Sequence, residues 1–114
     1  MDSLIDIAQE EKGDVVIIRV SGRLDATSSP ILERQVMALI DAGKNQLVMN
    51  FGNVEYLSSA GMRLLLAATK KLKSQNGKIL ITSVLDNVME VIKMAGFDHI
   101  LHLFESEEDA LKEF

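Results

Sequence analysis

Short apolar runs alternate with amphipathic helical segments along most of this 114-residue chain, and this alternation limits the possible folds. Runs rich in β-branched residues predict strands, and apolar residues that recur at helical spacing predict helices. The resulting order is β-β-α-β-α-β-α-β-α. Strands that alternate with helices pair in parallel through right-handed crossovers. The sequence therefore predicts an α/β fold with a mixed, mostly parallel sheet of about five strands and about four helices.

Turn and capping residues set the boundaries of these elements. Strands are predicted over residues 4–11, 14–20, 46–51, 78–82 and 100–104. The first two should form an antiparallel hairpin at the N-terminal edge, because a Lys-Gly-Asp turn joins them. Helices are predicted to begin at Ser28 or Ser29 with Pro30 in the first turn, at Ser58-Ser59, at Ser83 or Asp86, and at Ser106. The first three should end at Gly43, Asn76-Gly77 and Gly96, and residues 1–114 should form one domain.

The stretch with the strongest functional signal is the turn between the third predicted strand and the second predicted helix. Ser58 and Ser59 stand there, directly before an apolar helical segment. A helix N-terminus has free backbone N–H groups and a positive dipole end, which favour an anion. The same groups favour a plain serine cap. From the residues alone, capping is the favoured interpretation, and receipt of a phosphoryl group is the alternative.

Composition excludes several classes of protein. The 47% hydrophobic content is enough for an ordinary core, and the absence of cysteine excludes disulfides and thiolate metal sites. The formal net charge of −5 argues against nonspecific nucleic-acid binding. Residues 1–6 do not resemble a secretory signal, and no apolar run is long enough to span a bilayer. We therefore expect a cytoplasmic protein without membrane insertion.

Motifs of enzymes and cofactor sites are weak or absent. His99 and His102 lack a third metal-type ligand nearby in sequence, and neither Gly-rich phosphate-loop pattern occurs. The Ser-Ala-Gly sequence at 59–61 does not complete a nucleophile elbow. Asp25 stands near a predicted turn, where a carboxylate ordinarily accepts backbone hydrogen bonds. The methionines are expected mostly on core faces, and neither a catalytic site nor a cofactor is expected.

Three segments together resemble a known family. Ser21-Gly22-Arg23-Leu24-Asp25, the turn Tyr56-Leu57-Ser58-Ser59-Ala60-Gly61-Met62, and the closing stretch over residues 96–111 look like a STAS domain. More narrowly, they resemble the bacterial anti-sigma factor antagonists. The resemblance implies a STAS fold, in which the helices pack mainly on one face of the sheet. The resemblance covers nearly the whole chain, and the Ser-Ser-Ala-Gly turn is its most specific part.

The resemblance implies a phosphorylation site. In that family the serine two positions before the glycine of the turn is phosphorylated, and counting back from Gly61 this serine is Ser59. The family usually has an aspartate immediately before it, where this chain has Ser58. The family also often has a small residue at the position of Arg63. Asp25 matches a family acid near the same end of the sheet.

The implied activity is a protein-interaction switch. The unphosphorylated antagonist would bind an anti-sigma factor with serine kinase activity, phosphorylation at Ser59 would break the complex, and a serine phosphatase would restore it. The residues expected at the partner surface are Asp25, Glu55, Ser58, Ser59, Met62 and Arg63. One alternative is a STAS adaptor of a transport or lipid-trafficking complex without regulatory phosphorylation. Another is a small enzyme or ligand-binding domain that uses Asp25 and the serines.

Overall fold

Five strands pair in chain order to form one sheet. A computed structural model describes residues 5–114 of the chain. Its strands are β1 (Ile5–Lys12), β2 (Val15–Leu24), β3 (Gln46–Leu57), β4 (Lys78–Thr82) and β5 (His102–Phe104), in the order β1-β2-β3-β4-β5. The β1–β2 pair is antiparallel, and the three other pairs are parallel. The mixed, mostly parallel α/β sheet with an antiparallel N-terminal edge is therefore confirmed. Leu4, the first residue of the first predicted strand, lies outside the described residues.

Helices connect the parallel strands and follow the last one. Over residues 5–114 the α-helices are α1 (Ser29–Asp41), α2 (Ser59–Ser74), α3 (Asp86–Met94) and α4 (Glu107–Leu111). A short 3₁₀ helix, Phe97–His99, lies between α3 and β5. None of the helices in this part of the chain is long and apolar enough to cross a bilayer.

The larger core lies between one face of the sheet and α1, α2 and α3. On α1, the buried Leu32, Val36 and Ile40 recur every four residues and so share one face of the helix. A smaller cluster lies on the opposite face, where Ala110 of α4 packs with residues of β2, β3 and β4: Val15, Ile17, Val48 and Leu80. Three helices on one face and one short helix on the other agree with the predicted one-sided arrangement.

A polar cluster fixes α4 to the sheet. Arg19 on β2 donates from Nε and Nη2 to the two carboxylate oxygens of Glu107, both at 2.9 Å, and from Nη1 to Glu10 Oε1 at 2.8 Å. Asn50 Nδ2 donates to Glu107 Oε2 at 2.5 Å. The bonds from Arg19 are the largest cause that holds the pKa of Glu107 below its ordinary value. Such a bidentate pair has a defined geometry, so it sets the position of the first turn of α4.

Two predicted strand ends differ from the observed ones. Strands β2 and β3 continue to Leu24 and Leu57, several residues beyond their predicted ends. The pairing shifts register between Arg19 and Ser21 and again between Gly22 and Arg23. These irregularities let polar and glycine positions remain within the strands, although such residues usually indicate a turn. Strand β5 is shorter than predicted, because the amides of Ile100 and Leu101 donate to the carbonyl oxygen of Phe97 and so belong to the turn that follows the 3₁₀ helix.

Gly77 is needed for space rather than for an unusual backbone angle. The helix-ending turn after α2 has its positive φ at Asn76, at 59°. A Cβ at position 77 would lie 2.3 Å from the carbonyl oxygen of Asn45. The close approach of two backbone segments therefore excludes any side chain at this position.

Met94 is an exception to the expectation that the methionines lie mostly on core faces. Met49 and Met62 are buried, but Met94 is 89% exposed. The core-facing residues of α3 are Val88 and Ile92, one turn apart, and Met94 falls outside that stripe. Burial on this short helix follows its helical face and not its apolar composition.

Candidate functional site

The candidate site lies where β2 and β3 end at the same edge of the sheet. Leu24 and Leu57 are paired in parallel, so the segments that follow both strands leave the sheet side by side. The amide of Ser58 donates to the carbonyl oxygen of Leu24 at 2.8 Å and ties these segments together. The N-termini of α1 and α2 begin here, so the edge combines two strand ends with two helix starts.

Ser58 caps α2. Its backbone is extended, and its Oγ accepts a hydrogen bond from the Gly61 amide at 3.2 Å. Its carbonyl oxygen accepts from the Met62 amide at 3.0 Å. The capping role that the residues alone favoured is therefore the role of Ser58.

Ser59 occupies the first position of α2 and is exposed. Its hydroxyl makes no hydrogen bond with any residue in the range 5–114, and the amides of Ser59 and Ala60 have no acceptor within that range. The first N–H groups of a helix are free by geometry unless a cap satisfies them. Ser59 thus presents an unoccupied hydroxyl beside two free donors.

Gly61 allows the start of α2 to sit directly on the strand ends. A Cβ at this position would lie 2.6 Å from Leu57 Cδ1 and 3.2 Å from Leu24 Cβ. Gly61 itself is buried. The glycine of the turn is thus required by close packing, and this packing fixes the position of Ser59 relative to both strands.

Asp25 organises the loop after β2. Its Oδ1 accepts hydrogen bonds from the amides of Thr27 and Ser28, both at 2.9 Å, and lies 3.2 Å from Ser28 Oγ. The bond from the Ser28 amide is the largest cause that holds the pKa of Asp25 below its ordinary value. Asp25 therefore has the turn role expected from its residue type, and it carries a negative charge at this edge at neutral pH.

Ser28 occupies the cap position of α1 and Pro30 lies in the first turn, as predicted, but the Ser28 side chain makes no hydrogen bond to the helix. The buried hydroxyl of Ser28 donates to the Arg23 carbonyl oxygen and accepts from the Asp25 amide at 3.0 Å, so the preceding loop occupies it. Ser29 Oγ is buried and has no hydrogen-bond partner in the described part of the chain. The loop after β2 uses the serine that the helix would otherwise have used.

The other predicted surface residues are placed unequally. Glu55 is exposed, and its carbonyl oxygen accepts from Asn87 Nδ2 at 3.0 Å. Arg63 is exposed one helical turn after Ser59 and forms no ion pair with any of residues 5–114. Met62 is only 8% exposed and packs in the core, so its predicted contact with a partner is not available at the surface.

Sequence reasoning missed an aromatic contact at this edge. The Arg23 guanidinium carbon lies 4.3 Å from the centre of the Tyr56 ring, and Tyr56 is 41% exposed. The two residues are paired directly across β2 and β3. Both residues lie in segments that carry the family resemblance, and this was the one sequence signal for a role at the site. The strand register that brings them into contact could not be predicted from the sequence.

Over residues 5–114 there is no group of three or more His, Cys, Asp or Glu side chains that could hold a metal ion. A cavity of about 220 Å³ lies between α1 and α2, with Glu33, Arg63 and the unpaired Ser29 in its wall. Both histidines lie at the opposite end of α2 and cannot act as a base for either serine of the turn.

The sequence matches the STAS domain family over residues 6–110. The Bordetella bronchiseptica protein BtrV is 29% identical over 100 residues, which are 88% of this chain and 86% of that protein. An anti-sigma F factor antagonist from Paenibacillus polymyxa is 26% identical over 96% of this chain and 94% of its own length. The crystal structure of an anti-sigma factor antagonist from Mycobacterium paratuberculosis superposes with a TM-score of 0.87 at 28% identity, covering 96% of this chain and 92% of that one. Because the family model matches most of its length, this chain belongs to the STAS domain family.

Proposed function

We propose that this protein is an anti-sigma factor antagonist that works by partner switching in the cytoplasm. In its unphosphorylated form it binds an anti-sigma factor with serine kinase activity, and a sigma factor is released. Phosphorylation of Ser59 ends that binding, and a serine phosphatase restores it. The chain is then a regulated binder and a substrate rather than an enzyme. Its relatives from Paenibacillus polymyxa and Mycobacterium paratuberculosis are anti-sigma factor antagonists, which supports this role.

The observation that carries the proposal is the difference between the two serines of the turn. Ser58 is partly buried, and its hydroxyl accepts the Gly61 amide. Ser59 is exposed and keeps its hydroxyl free of the bonds that hold the described chain together. A kinase can therefore reach Ser59 without unfolding α2, and this is the serine that the family resemblance selects.

The transfer itself changes one bond of this chain. Ser59 Oγ attacks the γ-phosphorus of ATP held by the kinase, and a new O–P bond forms as the bond to the β–γ bridging oxygen breaks. ADP leaves, and the hydroxyl proton passes to a base of the kinase. The phosphatase reverses the modification by hydrolysis, in which water supplies the oxygen that leaves with phosphate and Ser59 recovers its hydroxyl.

Groups around Ser59 can stabilise the charge of a phosphoryl group without a change of fold. A phosphoserine adds about −1.5 to −2 charges at neutral pH. The free amides of Ser59 and Ala60 and the positive end of α2 face this charge, and Arg63 lies one turn away on the same helix face. Because the Ser59 hydroxyl takes part in no bond of the fold, its modification removes none. We therefore expect the backbone outside residues 55–65 to stay unchanged.

A docked partner would meet the same group differently. The dianion would have to lose water, and the carboxylates of Asp25 and Glu55 on this surface would repel it. Moving a population from mostly bound to mostly free requires about 5.5 kcal/mol of differential affinity. Steric and electrostatic exclusion from the contact surface is therefore the proposed mechanism. Arg23 and Tyr56 join Asp25, Glu55 and Arg63 on that surface.

The first experiment is affinity purification of the tagged chain from its native cells, followed by site-resolved mass spectrometry. We expect a single phosphoryl group on Ser59 and a co-purifying ATPase of the serine-kinase type. Unmodified protein accompanied by transporter components would instead support the adaptor alternative.

Variants of the two serines separate phosphorylation from folding. Ser59→Ala should bind the isolated kinase and resist phosphorylation, while Ser59→Asp should bind it more weakly. Ser58→Ala is the matched control, because it should remain a substrate despite losing the cap. Equal binding of Ser59→Ala and Ser59→Asp, or widespread backbone chemical-shift changes after phosphorylation, would contradict the proposed exclusion mechanism.

A further inference from the structure

A second concave surface lies at the end of the sheet opposite Ser59. It is an open cavity of about 620 Å³ between the last turns of α2, the start of β4 and the segment around the 3₁₀ helix. Lys73 in its wall is about 21 Å from Ser59 along the axis of α2, at about 1.5 Å per residue. The cavity is thus separate from the surface proposed to bind the anti-sigma factor.

The wall of this cavity is basic although the chain is acidic overall. Lys70, Lys73, Lys78 and both histidines line it, whereas the chain has a formal net charge of −5. No carboxylate side chain from residues 5–114 belongs to the lining. One carboxylate approaches a side chain of the lining: Asp98 Oδ1 lies 3.8 Å from His99 Nε2.

The three lysines differ in whether their ammonium group already has a partner within residues 5–114. Lys78 Nζ donates to the Glu113 carbonyl oxygen at 2.8 Å and lies 5.3 Å from the centre of the Phe114 ring. Lys70 and Lys73 are exposed, and neither has an ion pair or hydrogen bond from its ammonium group to any described residue. They are three positions apart on α2, so they project from neighbouring positions on one helix face. Two adjacent positive charges are therefore left without a counter-charge from residues 5–114.

The rest of the lining is apolar. Ile79 is 1% exposed and closes the base, while Ile100 is 46% exposed at the side. Thr69 uses its hydroxyl to donate to the Leu65 carbonyl oxygen at 2.7 Å. An exposed isoleucine beside free ammonium groups fits a ligand with an anionic head and an apolar body.

We propose that this cavity binds a phosphomonoester with an apolar body. Its dianionic head would lie between Lys70 and Lys73, because two ammonium groups match a double charge better than the single charge of a carboxylate. The imidazole N–H groups of His99 and His102 supply further donors. The apolar body would cover Ile100 and the edge of Ile79, and the cavity has the size of ordinary small-molecule sites. A soluble phosphate ester and a lipid with a phosphomonoester head share this chemistry.

The test is a titration of the isotope-labelled full chain with hexyl phosphate and with inorganic phosphate, followed by amide chemical shifts. Hexyl phosphate should give saturable shifts concentrated in residues 69–79 and 98–102. It should bind at least about tenfold more tightly than inorganic phosphate, because its chain buries apolar surface. Absence of saturable shifts with hexyl phosphate would overturn the proposal.

Charge-matched variants distinguish a site from general attraction. Lys70→Gln/Lys73→Gln should weaken hexyl phosphate binding by at least about tenfold. Lys93→Gln/Lys112→Gln changes the net charge equally and should keep the affinity within about twofold, since its lysines lie outside the cavity. Ile100→Ser should weaken hexyl phosphate but not inorganic phosphate. Equal losses in the two double variants would overturn the site.

Vesicles separate the two sources of the phosphomonoester. If the ligand is a lipid, the chain should co-sediment with phosphatidylcholine vesicles that contain phosphatidic acid, and Lys70→Gln/Lys73→Gln should abolish this. Hexyl phosphate binding without vesicle binding would support a soluble ester. Vesicle binding that both double variants retain, without hexyl phosphate binding, would be nonspecific and would overturn the proposal.

Discussion

Two helices of this chain begin with a Ser-Ser pair after a parallel strand, yet the two pairs have different environments. At the start of α1, Ser28 and Ser29 are 0% and 3% exposed. At the start of α2, Ser58 is partly buried and caps the helix, and Ser59 is exposed. The same dipeptide is therefore a buried loop element in one place and a capped helix start with a free hydroxyl in the other.

Loop length and local hydrogen bonds explain this difference. Residues 25–28 separate β2 from α1, whereas only Ser58 separates β3 from α2. In the longer loop, Asp25 gathers the amides of Thr27 and Ser28 and draws that segment inward. In the shorter one, the helix begins at once and its first side chain, Ser59, emerges at the surface. The comparison teaches that a serine pair becomes accessible where the chain has no spare residues to fold it inward.

The largest expected effect is on the packing that holds the α2 start in place. Gly61→Ala should lower the free energy of unfolding by up to about 3 kcal/mol, because its methyl group would press on Leu57 and Leu24. Denaturant unfolding followed by circular dichroism measures this change. Gly96→Ala is the control: it has open space but a φ of 77°, and should cost about 1 kcal/mol. A smaller loss for Gly61→Ala than for Gly96→Ala would mean that the strand ends move aside.

Ser28, the buried serine immediately before α1, should be the next most sensitive position. Ser28→Ala removes the donor to the Arg23 carbonyl oxygen and the acceptor of the Asp25 amide, so it should cost about 2 kcal/mol in the same assay. Ser29→Ala removes a buried hydroxyl that has no partner among residues 5–114, and it should leave stability unchanged or raise it by about 1 kcal/mol. If Ser29→Ala were the more damaging of the two, the assignment of these hydroxyls would be wrong.

The two serines at the start of α2 should show the same order with a smaller difference. Ser58→Ala loses the cap on the Gly61 amide and should cost about 1 kcal/mol. Ser59→Ala removes an exposed hydroxyl and should change the free energy of unfolding by less than about 0.5 kcal/mol. Thermal and denaturant unfolding of both variants would check this. Substitutions at exposed positions usually change the free energy of unfolding by less than about 0.5 kcal/mol. A loss of about 1 kcal/mol or more for Ser59→Ala would therefore mean that Ser59 has a structural role.

The weakest effect concerns pH and the loop after β2. The pKa of Asp25 is lowered in the folded chain, chiefly by the Ser28 amide, from an ordinary value of 3.8. Its ionised form therefore stabilises the fold above that ordinary value, and this contribution is lost as the pH falls through the lowered pKa. The stability difference between the wild type and Asp25→Asn should shrink between pH 7 and pH 3, as measured by denaturant unfolding. A difference that stays constant over this range would show that ionisation of Asp25 does not contribute to the pH dependence of stability.

Some features of the fold could be predicted from the sequence, and others could not. The apolar runs and helical spacing predicted the element order, the mixed sheet and the starts of α2 and α4, because these depend on periodicity and on caps within a few residues. The ends of β2 and β3 were placed too early, because Ser21, Gly22 and Gly52 are usual turn residues, and only the pairing of the two strands, with its register shifts, continues the strands past them. The exposure of Met94 was missed for a similar reason, since the face of α3 that meets the sheet is set by its packing.

The sequence by itself determined the α/β order, the cap at Ser58 and the family to which the chain belongs. Only the tertiary structure decided that Ser28 serves its loop, that Ser59 is exposed with a free hydroxyl, and that Met62 is buried. It also brought Lys70, Lys73 and the two histidines to one cavity. Capping and periodicity act over a few neighbouring residues, whereas exposure and convergence depend on how strands β2, β3 and β4 position segments that are distant in the chain.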